Sequence, residues 1–577
     1  MKRRDFLKIS LALTAADCLA RPRQGDGASG TTEVELLSQV PKVVGESVAP
    51  INWPPLPRFS QAVELKVIPA AEPGAGAVLE VGYDLKKAAA FVLLSAAPAK
   101  VGETPPERLR FWLWGDGTGN VLAMSYLHSP IKAWLPLTQV RLDYVGWRHL
   151  EIPAADPVYL YYPGIGDIVR LAILPSGKVP GHSTARVRFR KMEWVSPALV
   201  SLPLSTKDNA LPAEIYDTWG GPGEEQIRCA AAVGVNLHQV PVGGIGPGSV
   251  EAGITADVTY AAKAVEWVKG ANMLCCLSLE MPDTAPSWLR KNMRLLCRDE
   301  QGQTSNGILS PWNPHAQALW ERHIVAVLRR LKKGGKLKFV DVIRLCPGDQ
   351  GEVAFQWSNV WAFDPWAVSA YRAYLGRLYG GKIAALNADW GSNHASFENI
   401  LPPSAWHPDR QHWVFTDFYR LGMLRQCVRM ADAVRKVFSP KHWLWLLHSL
   451  PSYPMRFYSA RYPVFYAENL RRLGLLDIAH IPGLNWQSRE DIRYVEDMGV
   501  RTICEIDVGP TPAQLGWTFS QADKFRFDGV FIGIAEPLSE NGKLTPLGNL
   551  CRDLIMQRQR RLGLPFPPPT RPAAERE

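Results

Sequence analysis

Between residues 213 and 562 short apolar runs alternate with amphipathic helical stretches, and this alternation limits the fold more than any other feature of the 577-residue chain. Eight runs stand out, at 215–219, 236–242, 273–279, 339–345, 443–448, 477–481, 500–506 and 529–534. Each is short and nearly continuous in its hydrophobicity, as expected of parallel strands buried on both faces. Helical patterns fall between them, including 260–269, 316–333, 467–473, 490–498 and 513–525. Strand and helix in alternation argue for crossover connections, and eight such units suggest a closed (β/α)8 TIM barrel over an open sheet. The longest interruption is 353–440, which itself carries helical patterns at 365–379 and 413–437.

The segment before the barrel has a different period. Residues 50–198 contain alternating runs at 64–68, 109–114, 140–144 and 185–190, with a polar turn from Gly115 to Asn120. Alternation of this kind between turn residues predicts an all-β sandwich. Residues 25–45 read as a polar lead, 199–212 as a linker, and 563–577 as a disordered, proline-rich tail. The expected organisation is therefore multidomain, with a β-sandwich at 50–198 and a barrel at 213–562.

The net charge of +10 suggests a nucleic-acid partner, but its distribution argues against one. Residues 1–24 carry a surplus of four positive charges and residues 551–577 a surplus of three. No basic patch interleaved with aromatics lies between them. The first 24 residues contain Arg3-Arg4-Asp5-Phe6-Leu7-Lys8 and then a modest apolar stretch from Ile9 to Ala16, which is too short to span a bilayer. This layout is that of a twin-arginine signal, and it predicts a periplasmic or secreted protein without a stable membrane span. The nine cysteines include no CxxC pair and read as free thiols.

Two glutamates carry the expected chemistry. Glu352, in Gly348-Asp349-Gln350-Gly351-Glu352, follows the fourth apolar run, and Glu505 lies at the end of the seventh. Catalytic groups of such barrels gather at the C-terminal ends of the strands. Strands four and seven lie across the mouth from one another, so their end residues can flank one bond. Two facing carboxyl groups supply the proton donor and the nucleophile or base for cleaving a glycosidic bond. Asp349 is a further acid beside them, with Asp507 and Glu536 in reserve. Asp217, Trp219, His238, Asp349, Trp390, His448 and Trp486 are candidate substrate contacts, because aromatic faces stack on sugars and polar tips fix hydroxyl groups. His238, His448 and His480 come from different strands without metal-ligand spacing, so neither a metal nor another cofactor is expected.

Two stretches resemble known families. Phe111-Trp112-Leu113-Trp114-Gly115-Asp116 and Tyr144-Val145-Gly146-Trp147-Arg148 are similar to galactose-binding-like modules, which implies that the sandwich is a jelly roll. The series Trp366–375, Leu378-Tyr379-Gly380-Gly381, Leu386-Asn387-Ala388-Asp389-Trp390-Gly391 and Phe397–403 resembles the segment after the acid/base in family 42 β-galactosidases and their clan-A relatives. That resemblance implies a retaining β-glycosidase acting on an oligosaccharide or polysaccharide, with Glu352 as acid/base and Glu505 as nucleophile. One position departs from the pattern. Clan-A enzymes place Asn before the acid/base, whereas Gly351 stands here, and Gly351-Glu352 resembles the Gly-Glu of β-amylase-like barrels, which invert. Retention and inversion both stay open, as does a non-catalytic carbohydrate-binding or cell-surface protein built on the same scaffold.

Overall fold

The computed structural model describes residues 43–44, 47–50, 63–68, 78–84, 90–95, 108–128, 133–153, 168–174, 184–196, 199–205, 210–221, 223–242, 258–280, 293–347, 362–404, 409–447, 463–482, 489–505 and 511–566. The chain divides into two compact units. One joins Val43–Leu199 with Tyr371–Asp417, and the other joins Val200–Ala370 with Phe418–Glu577.

The second unit is the closed, eight-stranded parallel barrel. Its strands are β1 (Ile215–Trp219), β2 (Leu237–Val242), β3 (Leu274–Glu280), β4 (Val342–Cys346), β5 (His442–Leu446), β6 (Ile478–Pro482), β7 (Arg501–Glu505) and β8 (Gly529–Ile534). All eight match the runs seen in the sequence. The fourth starts three residues later than expected, because Leu337–Phe339 forms a 3-10 turn instead.

Closure of β8 on β1 requires a glycine. A Cβ on Gly529 would lie 2.0 Å from the Ile215 carbonyl oxygen, so only the bare backbone fits. The crossover helices start where local chemistry favours them. Helix α1 (Glu224–Val233) ends at Gly234 in the left-handed region, with φ of 105°. Helix α2 spans Thr259–Gly270. Helix α3 (Pro314–Lys333) has Pro314 in its first turn and Asn313 as cap, its side chain accepting from the backbone N–H groups of His315 and Ala316.

Within the interruption after β4, α4 covers Pro365–Leu378, α5 Ile383–Trp390 and α6 Arg410–Arg435. Helices α7 (Pro463–Arg472) and α8 (Arg489–Asp497) follow β5 and β6, and α9 (Pro512–Phe525) follows β7 behind a Thr511–Gln514 capping box. The last helix, α10, spans Pro546–Arg561.

The first unit contains two antiparallel sheets. In the larger, the order is Val63–Ile68, Val78–Asp84, Thr184–Ser196, Arg108–Asp116 and Val145–Pro153, with Ser47–Pro50 beside Thr184–Ser196. In the smaller it is Ala90–Ser95, Ile168–Leu174, Val121–His128 and Ala133–Arg141. The alternation is plain in Leu109, Phe111 and Leu113, which are fully buried. The run at 140–144 is not one strand. Ala133–Arg141 ends inside it and Val145–Pro153 begins beyond it, because Gly146 adopts φ of 115° and Asn120, Leu142 and Tyr144 backbone groups bond across the turn. The faces of Trp112 and Trp114 carry the guanidinium groups of Arg190 and Arg188, both at 4.9 Å.

Residues 371–417 join these sheets through a buried charge cluster. Arg108, on the strand at its core, meets Glu151 at 2.9 Å and Asp417 at 3.1 Å. Arg410 reaches both Glu151 at 2.9 Å and Asp389 at 3.1 Å. Trp413 donates from Nε1 to the Glu151 carbonyl at 2.7 Å, and His149 lies 3.1 Å from Asp389 while stacking on Trp112. Each charge removed from water here faces an opposite one, the condition on which such burial is tolerated. The helices that interrupt the barrel in sequence thus belong in part to the unit formed by the N-terminal strands.

Candidate active site

The barrel interior follows from the period of two along each strand. Ile215, Leu237, Cys276, Val342, Leu444, Ile478, Ile503 and Phe531 form one apolar cluster, to which every strand contributes. Two residues further along, on the same face and nearer the C-terminal ends, stand Asp217, Gln239, Ser278, Arg344, Leu446, His480 and Glu505. Going up the barrel, the interior changes from apolar to polar and ionisable.

These polar groups form a chain across the barrel. Arg344 donates from Nη1 to Gln239 Oε1 at 2.6 Å. Gln239 donates from Nε2 to Asp217 Oδ2 at 2.5 Å, so both ends of its amide are fixed by their partners. His480 Nε2 lies 2.8 Å from the same Asp217 oxygen, and His480 Nδ1 lies 3.5 Å from Glu505 Oε2. The ring of Phe531 packs against the imidazole with centroids 5.2 Å apart. Asp217 and His480 are wholly buried, whereas Glu505 keeps 18% of its side chain exposed, as a group that reaches the mouth must.

Burial pushes the Asp217 carboxyl above its ordinary pKa, against the opposing pull of His480, Gln239 and Arg344. For His480, burial favours the neutral ring, but the contacts with Asp217 and Glu505 outweigh it and raise its pKa above the ordinary histidine value.

Of the residues expected from sequence, Asp217, Trp219 and Glu505 come together in this interior, Trp219 packing against the apolar cluster. His238 is on the opposite face of β2 from Gln239, where its Nδ1 meets Thr218 Oγ1 at 2.8 Å and burial pushes its pKa down to about 4. Trp390 belongs to the other unit, where its Nε1 donates to the Tyr379 hydroxyl at 2.8 Å. Glu352, Asp349, His448 and Trp486 lie outside the described residues, as does Asp507. Glu536 is exposed beyond β8.

Gln239, Arg344 and His480 were not among the expected site residues. The signal that finds them is the strand period: each is two places beyond an apolar residue that faces the interior. Among the described residues no group of three His, Cys, Asp or Glu side chains is placed to hold a metal ion, and no helix is long and apolar enough to cross a membrane.

No family model matches the sequence, and no curated relative does. Several solved structures are similar to it at low identity. The catalytic domain of β-amylase from Paenibacillus polymyxa aligns at 16% identity over 60% of this chain and 99% of its own, with a TM-score of 0.50. The β-galactosidase from Bacillus circulans sp. alkalophilus aligns at 14% identity over 61% of this chain, with a TM-score of 0.45. That of the haloarchaeon Halorubrum lacusprofundi aligns at 14% identity over 59%, with a TM-score of 0.44. The chain spans 57% and 58% of these two β-galactosidases. The likeness to the β-amylase domain covers that domain almost completely and identifies the second unit as a TIM barrel.

Proposed function

We propose that the protein is a glycoside hydrolase that uses Glu505 and Glu352 as its two carboxyl groups. The observation that supports this reading is the placement of Glu505. It ends β7 at the C-terminal side of the barrel, partly exposed, above a buried chain of polar groups that terminates on its carboxylate. Barrels of this architecture carry their chemistry at that face. An ionisable cluster in an otherwise apolar interior is costly to bury and points to function.

Glu352, six residues past the end of β4, supplies the second group in this reading. One carboxyl group protonates the leaving oxygen while the other attacks the anomeric carbon or activates water. The substrate class is a β-linked oligosaccharide or polysaccharide, with a β-galactoside first. The resemblance of residues 366–403 to family 42 sequences favours that choice. The N-terminal sheets are read as the galactose-binding-like module, and the twin-arginine segment as the signal for export to the periplasm or beyond.

A panel of p-nitrophenyl β-glycosides, with the anomer of the released sugar followed by proton NMR, tests the reading. Release from the β-galactoside with retained configuration is expected. Inverted configuration would assign Glu505 the role of base, and no release from any glycoside in the panel would contradict the proposal.

A further inference from the structure

The polar chain ends in an arrangement that the two-carboxylate scheme does not use. His480 stands between two acids, with Nε2 on Asp217 and Nδ1 on Glu505. A neutral imidazole has one N–H and one lone pair, so it would turn a lone pair on one of the two carboxylates. Only the doubly protonated ring faces both with a donor. Asp217 is itself fixed by Gln239, whose orientation is set by Arg344. Rigidity therefore passes from the fourth strand through the second and first to the sixth, and ends on the seventh. We propose that Asp217 and His480 form a buried positioning pair for Glu505, the imidazolium fixing the carboxylate and keeping it ionised for its part in glycoside cleavage.

This inference rests on the assignment of Glu505 to the chemistry. It adds a pH dependence that the two glutamates alone would not have. Among the described residues, the titratable or charged groups facing His480 are Asp217 on β1 and Glu505 on β7, and those facing Asp217 besides His480 are Cys276 on β3 and Arg344 on β4 acting through Gln239; β8 contributes the Phe531 ring. Removing the imidazolium takes a positive charge from beside Glu505. The Glu505 carboxyl then holds its proton to higher pH, so the acidic limb of kcat/KM moves upward. A merely structural histidine would change the amount of active protein and leave that limb in place.

The test combines two readouts on the full chain. Nitrogen-15 NMR of histidine-labelled protein follows the imidazole signals that vanish in His480→Asn. In the wild type they should be those of a doubly protonated ring well above the ordinary midpoint of about pH 6.5. The midpoint should fall by about one pH unit or more in Asp217→Asn. Glu505→Gln gives the same readout from the exposed end of the chain, whether or not the Asp217 variant folds. A neutral ring in the wild type between about pH 5 and 8, or a midpoint unmoved in Glu505→Gln, overturns the pairing.

On the chromogenic glycoside, His480→Asn should lose about tenfold or more in kcat with KM little changed, and its acidic limb should move up. An unshifted limb would reduce His480 to packing. Full turnover by Glu505→Gln would instead remove the glycosidase assignment, while the NMR result still decides the pairing.

Discussion

Arg558 closes on Glu214 through two parallel bonds, Nε to Oε2 at 3.0 Å and Nη2 to Oε1 at 3.1 Å. The partners are on the last helix and in the residue before β1, so this fork ties the end of the barrel unit to its beginning. Both are buried, and burial raises the Glu214 pKa against the pull of the guanidinium. Replacing Arg558 by Met should leave a buried carboxylate without its cation and cost about 3–5 kcal/mol of stability. Urea unfolding monitored by tryptophan fluorescence measures the loss. The deficit should shrink as pH falls, because Glu214 can then take up a proton. The double variant Arg558→Met, Glu214→Gln should recover part of the loss; a purely additive double variant would show that the two groups act independently.

The charge cluster of the first unit should show itself in acid. The Glu151 carboxyl works against its own burial and is held down to about 2 by Arg110, Arg410 and Arg108. Its folded-state value is below the ordinary one, so its contribution is complete above about pH 4.5 and is lost as pH falls toward 2. Glu151→Gln should therefore cost several kcal/mol near neutrality, on the order of a broken buried ion pair. The difference from wild type should close between those two pH values. Proteolysis of residues 371–417, compared between the two proteins across this range, checks both the sign and the place.

Two glycines should respond in opposite directions. Gly529→Ala puts a methyl group 2.0 Å from a backbone oxygen of β1, and neither strand can yield without opening the barrel. Soluble expression should collapse. Gly516 is in the interior of α9, with nothing within 4 Å of an added Cβ. There, alanine should stabilise by roughly 0.5–1 kcal/mol. Soluble yield is the measurement for Gly529→Ala, and thermal unfolding against the wild type is the measurement for Gly516→Ala.

The barrel was legible because each strand is a short, nearly continuous apolar run and helical patterns fall between the runs. Glu505 was legible as a charge within such a run, and Asp217 from its place near the end of the first one. His480 was weighed only as a metal ligand and set aside, since its meaning depends on which face of β6 it occupies and on a neighbour 263 positions earlier, Asp217. The shared unit of residues 371–417 and the N-terminal strands was not legible at all. It is specified by Arg108, Glu151, Asp389 and Arg410, whose spacing along the chain carries no pattern.

The glycosidase assignment is tested most directly by kcat/KM on the glycoside that the wild type cleaves, measured in parallel for Glu352→Gln and Glu505→Gln. Each variant should lose a factor on the order of 10² to 10⁴ while remaining folded by circular dichroism. Wild-type turnover in either variant would contradict the two-carboxylate account.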